Sequence, residues 1–270
     1  MQPQVYAPQQ RDDRPAWRRA LGALAALGVL AVKFAAKLKA LLLVLPKLKV
    51  LTTAGSMLLS VAAYALIWGW KFAIGFVLLL LVHELGHVIQ LRREGIPASA
   101  PMFIPFLGAL VALKELPKDA AAEARVGLAG PVLGSLAALL PLALYGATGD
   151  ELFKALAFVG FFLNLFNLLP VVPLDGGRIV AALHPVLWVL GFLGLLVLVA
   201  FSPNPILIII LVIAGLELWN RWRMRNHPEM QAYYQVTTPR RLIIASLYFG
   251  LAALLVLGME ATHLPRDVLR

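Results

Sequence analysis

Three ionisable residues, His83, Glu84 and His87, lie close together inside the strongly apolar stretch formed by residues 78–89. On an α-helix His83 and His87 are one turn apart on the same face, so both imidazoles can reach one metal ion. Glu84 lies about 100° further around the helix, beside an open coordination position. This spacing is typical of zinc hydrolases. Because an ionisable group near the centre of a bilayer costs roughly 2.5–3.5 kcal/mol, the cluster predicts a functional site.

A catalytic zinc site of this kind needs a third protein ligand and one position left for water. The best candidate is Asp175, in the sequence Leu-Asp-Gly-Gly-Arg at residues 174–178. Asp175 follows a helix interrupted by Pro170 and Pro173, and irregular backbone inside a membrane is tolerated only where it is buried or faces a polar cavity. The alternative interpretations are a helix-ending polar turn at Asp175, and a polar seam or transport pathway at the histidines.

The composition indicates a membrane protein. Sixty-one percent of the residues are hydrophobic, cysteine is absent, and long aliphatic runs recur along the chain. Without cysteine the chain has neither disulfides nor thiolate ligands, so a metal must be held by nitrogen and oxygen atoms. The formal net charge of +10 comes from basic residues that flank apolar segments, which favours membrane anchoring over nucleic-acid binding.

We predict an all-α polytopic membrane protein of about seven transmembrane helices with a short membrane-re-entrant β-hairpin. A cytosolic tail and a basic amphipathic interfacial segment occupy residues 1–50, although a hairpin that dips into the bilayer is the competing structure for the latter. A catalytic transmembrane core follows at residues 51–185, and further transmembrane helices with a C-terminal tail at 186–270. The predicted spans are residues 51–68, 72–91, 126–145, 152–169, 186–201, 206–219 and 242–259.

The positive-inside rule orients these spans. With the amino terminus in the cytosol, the connections rich in Lys and Arg all face the cytosol. His83 and His87 then lie in the cytosolic half of their helix, about 8–14 Å from Arg92 at 1.5 Å per residue. We expect an integral multi-pass protein of a bacterial inner membrane.

The segment formed by residues 101–113 is apolar but too short and too broken by Pro105 and Gly108 to cross a bilayer. Its short β-compatible runs predict a hairpin beside the metal. An intramembrane protease must hold its substrate extended, because a helical peptide bond is shielded by its own hydrogen bonds. Leu110, Val111 and Ala112 are therefore candidate substrate-binding residues on a free strand edge. A surface loop packed against neighbouring helices is the alternative.

The two motifs together resemble the site-2 protease family of intramembrane metalloproteases. These proteins carry His-Glu-x-x-His in one span and Asp-Gly after a later one, which correspond here to residues 83–87 and 175–176. The resemblance implies one Zn²⁺ ion and cleavage of transmembrane or membrane-tethered proteins near the cytosolic face. Many members also carry Gly-Pro-x-x-Asn in the intervening span, where this chain has Gly134 in place of the asparagine.

Two asparagines at the end of the fourth span are further candidates. Asn164 and Asn167 are suited to hydrogen-bonding a substrate strand or the oxyanion, or to joining helices. Asn167 is favoured for substrate binding because it occupies the place in the family's pattern. The rival functions are a metal or ion transporter that uses the same groups and an inactive relative that binds client helices. A transporter should show repeated halves, and no second copy of the motif occurs.

Overall fold

The computed structural model describes residues 53–106, 108–111, 115 and 117–263. The predicted tail and amphipathic segment at residues 1–50, Ala112 and the end of the C-terminal tail lie outside the described residues. At Leu110 only the backbone is described. All described residues fall within one compact unit, residues 50–270.

The described part of the chain is mainly helical, with one small hairpin, as predicted. Its elements, in chain order, are α1 (Thr53–Trp68), α2 (Trp70–Arg93), β1 (Met102–Ile104), β2 (Gly108–Leu110), α3 (Ala120–Thr148), α4 (Glu151–Asn167), α5 (Asp175–Val180), α6 (Val186–Phe201), α7 (Pro205–Met224), α8 (Pro228–Tyr233) and α9 (Thr238–Ala261).

Four of these helices, α2, α3, α7 and α9, are long and apolar enough to cross a membrane by length and composition. Helices α1 and α6 are apolar but have only 16 residues each. The predicted spans agree with helix positions to within a few residues, except that α3 begins at Ala120 rather than at 126. The short helix α8 was not predicted.

Side-chain caps explain where several helices begin. The Asp119 carboxylate accepts a hydrogen bond from the Ala122 backbone N–H (2.7 Å) at the start of α3. The Asp150 carboxylate does the same for Leu152 (2.9 Å) at the start of α4. Such caps satisfy backbone donors that have no partner within the helix. The early start of α3 agrees with the Asp119 cap, which stabilises a helix start before the apolar run at residues 126–145.

Helix α1 holds the β-hairpin through hydroxyl groups on one face. The Phe103 backbone N–H donates to Ser56 Oγ (3.1 Å) and the Phe106 N–H donates to Tyr64 Oη (3.0 Å). Thr53 Oγ1 donates to the Pro101 carbonyl (2.7 Å). These bonds satisfy the backbone of β1 on the side that faces away from β2, so α1 covers one edge of the hairpin.

The register of the hairpin determines which backbone groups the other edge presents. Strands β1 and β2 are antiparallel, and Phe103 lies opposite Ala109. Because the Phe103 N–H points to α1, this pair does not exchange ladder hydrogen bonds, and the Ala109 N–H and C=O point away from β1. The described residues provide no backbone partner for Ala109 or for Val111, two residues later. Among the described residues, therefore, the outer edge of β2 has no hydrogen-bonded neighbouring strand.

The centre of the molecule is formed by α2, α3 and α4, with α5 packed against α3 and α9 against α4. Small residues on α3 and α4, such as Ala124, Ala138 and Ala157, are fully buried. Such residues let helix backbones approach closely, which is how helices associate in lipid, where burying apolar side chains gives little advantage. As a result, α2, which carries His83 and His87, and α5, which begins at Asp175, both pack against α3.

A polar network braces α5, the short helix that begins at Asp175. Trp188 Nε1 donates to the Gly177 carbonyl (2.8 Å). The Arg221 guanidinium lies 4.3 Å above the Trp188 ring, and Arg221 Nη1 donates to Tyr234 Oη (2.6 Å). The adjacent Tyr233 donates to the Glu123 carboxylate on α3 (2.9 Å). Residues from α6, α7 and α8 therefore hold α5 against the central helices.

The brace predicts that Arg221→Leu destabilises the protein. The substitution removes a half-buried cation–π contact, the partner of Tyr234 and the ion pair with Glu217 (2.7 Å), so we expect a loss of about 1–3 kcal/mol in unfolding free energy. Arg225→Leu is the matched control, because Arg225 stacks on Trp222 at the same 4.3 Å but is exposed. Unfolding of both variants in detergent micelles tests this, and equal losses in the two would contradict the brace.

Candidate metal centre

Helix α2 presents His83 and His87 on the face that packs against α3 and α4, where both imidazoles are buried. His87 Nδ1 lies 2.8 Å from the Val126 carbonyl oxygen on α3. A carbonyl oxygen only accepts hydrogen bonds, so Nδ1 of His87 carries the proton. The neutral imidazole then presents its lone pair at Nε2, which is directed toward the centre of the site.

His83 is fixed in the same way by a side chain from α4. Its Nδ1 lies 2.8 Å from Oδ1 of Asn164, which is 2 % exposed. The Asn164 Nδ2 group donates to the Gly160 carbonyl (2.7 Å), so the amide oxygen must be the atom that faces His83. The His83 lone pair is therefore also at Nε2.

Asp175 completes the cluster from the first residue of α5. Its Oδ2 atom lies 3.2 Å from Nε2 of His83 and 3.2 Å from Nε2 of His87, and the two Nε2 atoms are 3.1 Å apart. Asp175 Oδ2 is buried and has no hydrogen-bond partner. With both imidazoles neutral, three lone pairs converge on one small volume. A positive charge is required there, because such a group of buried acceptors is otherwise repulsive.

The donor set fits a zinc ion. Two imidazole nitrogens and one carboxylate oxygen form a known catalytic ligand set, with one position open for water. Ligands about 2.0–2.2 Å from a tetrahedral zinc are separated by about 3.3–3.6 Å, close to the separations found here. A single proton can be shared between only two of the three atoms, whereas one metal ion can bind all three. The three predicted ligands are thus brought together as a group that can hold a metal ion.

Glu84 follows His83 on α2 and is half-buried. It makes no hydrogen bond with another described residue, and its carboxylate interacts electrostatically with His83, His87, Asp175 and Arg178. A carboxylate beside three ligands and without a fixed partner is available to accept a proton from water. Its position suits the predicted role of general base.

Asn167 and Val111 were also predicted to belong to the site, and the structure describes the surroundings of both. Asn167 is half-buried, and its Nδ2 group donates to the Leu163 carbonyl on its own helix (3.0 Å). Val111 packs beside Leu91 and Val126, next to the histidine helix. Asn167 makes no hydrogen bond to a metal ligand among the described residues. Asn164 instead accepts a hydrogen bond from His83 and so joins α4 to α2. The spacing of Asn164 and Asn167 did not distinguish them, because which one faces α2 depends on how α4 is rotated.

Glycine at position 130 makes room for His87. A Cβ atom on Gly130 would overlap the His87 imidazole, and one on Gly86 would overlap the Ala129 carbonyl. The two helices therefore approach closely enough for the Val126 carbonyl to reach His87. Larger residues at these positions would push α2 away from α3 and open the ligand cluster.

A salt bridge fastens the end of α2 to α3 next to this contact. Arg125 Nε and Nη2 donate to the two carboxylate oxygens of Glu94 at 2.7 and 2.9 Å. Hydrogen bonding to Arg125 lowers the pKa of the Glu94 carboxyl, so this pair stays charged at neutral pH. Because Arg125 precedes Val126, the ion pair helps to hold the carbonyl that orients His87.

Comparison with known proteins finds similar sequences over the part of the chain that carries the site. Residues 71–150 and 143–187 match the model of Peptidase family M50. Zinc metalloprotease MJ0392 of Methanocaldococcus jannaschii is 30% identical over 130 residues, which cover 46% of this chain and 37% of that protein. Putative zinc metalloprotease Rip3 of Mycobacterium tuberculosis is 33% identical over 135 residues, which cover 46% of this chain and 34% of the relative.

Putative zinc metalloprotease sll0528 of Synechocystis is 29% identical over 127 residues, 43% of this chain and 33% of its own length. The chain thus spans about a third of the length of these curated relatives. The region that matches the model of Peptidase family M50 contains all three ligand residues and Glu84. The predicted resemblance to site-2 proteases is confirmed over residues 71–187, and the names of the relatives agree with the predicted zinc cofactor and metalloprotease class.

The tight fit at position 130 predicts that Gly130→Ala weakens metal binding. The added methyl group must displace the His87 ring, and we expect zinc affinity to fall by about 10–100-fold, as when a group that supports a ligand is lost. Gly146→Ala on the same helix is the control, since a Cβ there meets nothing within 4 Å. Competition with a chromophoric chelator measures both affinities, and an unchanged affinity in Gly130→Ala would show that the fit is not tight.

Proposed function

We propose that this protein is a zinc-dependent intramembrane endopeptidase. It hydrolyses peptide bonds of transmembrane or membrane-tethered proteins near the cytosolic face of the bilayer. The observation that carries this proposal is the convergence of three buried ligand atoms beside Glu84, within a chain whose long helices have the apolar composition of membrane spans.

The side chains have distinct tasks in this mechanism. His83, His87 and Asp175 hold the ion and leave one position open. When bound, zinc lowers the pKa of water toward about 7 and polarises the scissile carbonyl. Glu84 accepts the proton of the attacking water and returns it to the leaving amine. Val126 and the ion pair beside it keep the His87 ring in place during the reaction.

The open edge of β2 is the proposed substrate site. Ala109 and Val111 present backbone groups that an extended substrate can pair with as an added strand. Leu110, whose backbone pairs with Met102 on β1, is proposed to belong to the same substrate site. This arrangement supplies the hydrogen bonds that a substrate helix loses on unwinding, close to the helix that carries the histidines. Asn167, near the end of α4, is proposed to contact the same substrate.

The proposed topology has seven membrane-associated helices, α1 to α4, α6, α7 and α9, with the amino terminus in the cytosol. Helix α2 ends in Arg92 and Arg93, and α7 in Arg221 and Arg223, as expected for ends at a cytosolic face. Asp175 then reaches the metal from the same side. A bacterial inner membrane is the proposed location, and integral membrane proteins are the proposed substrates.

The mechanism predicts that Glu84→Gln retains zinc but loses cleavage. Glutamine preserves the size of the side chain but cannot accept a proton at neutral pH, so we expect activity to fall by at least about 100-fold.

Asp175→Ala should instead lose zinc, because two histidines leave the ion short of a ligand. Metal analysis of both purified variants beside a peptide-release assay measures this. Undiminished turnover by Glu84→Gln would refute the mechanism, and a transporter would show no peptide release in any variant.

The open strand edge predicts that Val111→Pro impairs proteolysis while zinc binding persists. Proline removes the outward N–H that would pair with the substrate and distorts the strand. Val111→Ala, which keeps the N–H, should retain more activity than the proline variant. Photoreactive side chains at positions 109 and 111 should crosslink to substrate. Full cleavage by Val111→Pro, together with absence of crosslinks, would exclude this edge.

The topology predicts the side from which single cysteines react. The chain has no native cysteine, and Lys118, Asp150 and Arg223 are exposed. Cysteines at positions 118 and 223 should be labelled from the cytosolic side by a membrane-impermeant maleimide, and one at 150 from the opposite side. The reverse pattern would place the metal in the other half of the membrane.

A further inference from the structure

Asn164 has an unusual position among the polar residues of α4. It is almost completely buried, it comes from a helix that provides no ligand, and its amide joins two specific partners. Its nitrogen is engaged by the Gly160 carbonyl one turn earlier, which leaves the oxygen as the only atom that can meet His83. The helix backbone thus fixes the orientation of the amide, and the amide fixes the orientation of the His83 ring.

Position 134 on α3 faces this amide directly. A Cβ atom on Gly134 would overlap Oδ1 of Asn164. The glycine therefore leaves a space on α3 that the Asn164 side chain fills from α4. Any side chain at position 134 would compete with Asn164 for the same place beside His83.

We propose that Asn164 is the positioning residue that holds His83 for metal binding, and that the absence of a side chain at Gly134 is what admits it. The proposal rests on the proposed metal site and deepens it. Asn164 does not touch the metal. Its amide oxygen accepts a hydrogen bond from the Nδ1–H group of His83, which keeps the tautomer with a lone pair at Nε2 and prevents the ring from rotating about its χ2 angle.

Asn167 offers an internal comparison. It lies one turn along the same helix and makes the same type of hydrogen bond, from Nδ2 to the carbonyl four residues earlier. Its amide oxygen, however, has no partner among the ligands. Changes at Asn164 and Asn167 therefore remove similar bonds within α4, but only the change at Asn164 removes the acceptor from His83.

The first experiment measures metal binding by apo protein in detergent micelles. Asn164→Leu removes the acceptor at similar volume and leaves the buried His83 N–H unsatisfied, so zinc affinity should fall by about 10–100-fold. Asn164→Asp keeps an acceptor and should retain most of the affinity. Asn167→Leu should leave zinc affinity unchanged. Chelator competition gives the affinities, and the visible absorption of bound Co²⁺ reports whether the ligand geometry has changed.

The second experiment exchanges the two positions. Gly134→Ala should weaken zinc binding by displacing the Asn164 amide, and it tests the proposal even if Asn164→Leu does not fold. The double variant with Gly134→Asn and Asn164→Ala places an amide in the same space from α3, and it should bind zinc more tightly than Asn164→Ala alone. If the double variant binds zinc no more tightly than Asn164→Ala, the proposal that an amide in this space holds His83 is overturned.

The outcomes separate this proposal from the proposed function. Wild-type zinc affinity in Asn164→Leu, or an equal loss in Asn167→Leu, would overturn the role of Asn164 while the metal site stands. Equal losses in Asn164→Asp and Asn164→Leu would also overturn it, because the acceptor would then not matter. If the wild-type protein itself binds no zinc, the proposed function fails with it.

Discussion

The structure depends on one electrostatic constraint, the meeting of three lone pairs from His83, His87 and Asp175 within 3.2 Å of one another. Buried acceptors so close together repel each other unless a cation lies between them. The surrounding structure must therefore hold each ligand in a single orientation before the cation arrives. It does so by engaging Nδ1 of each imidazole with an acceptor from another helix, which leaves Nε2 as the only available donor atom to the metal.

Close approach of helices is what makes these contacts possible. A backbone carbonyl at Val126 can reach His87 only because glycines at positions 86 and 130 bring α2 and α3 together. The same principle operates between α3 and α4, where Gly134 admits Asn164. In a membrane the apolar surface of a helix gains little by leaving lipid, so small residues and buried hydrogen bonds supply much of the association. The residues that stabilise the fold are therefore also those that orient the ligands.

The sequence predicted those parts of the site whose geometry is local. The spacing of His83 and His87 determines their common face on any helix, and the long apolar runs locate most helices to within a few residues. The choice between Asn164 and Asn167 was beyond such reasoning, because it depends on the rotation of α4 against α2. The start of α3 was placed too late since hydropathy does not register the Asp119 cap. The hairpin and its free edge at Leu110 and Val111 were predicted from short β-compatible runs, but only the hydroxyl contacts of α1 show that β1 is the covered strand.

The position of Asp175 depends on residues that lie beyond the region matched to the family model, which ends at residue 187. Helix α5 has only six residues, too few to be stable without tertiary contacts. Its Gly177 carbonyl is held by Trp188, and Trp188 is held in turn by Arg221 and Tyr234 from α7 and the turn after α8. Tyr248 on α9 donates to the Leu168 carbonyl (2.6 Å), at the other end of the irregular segment that leads into α5. Helix α2 supplies both histidines directly, but the third ligand reaches the site only because the C-terminal helices fix both ends of the segment that carries it.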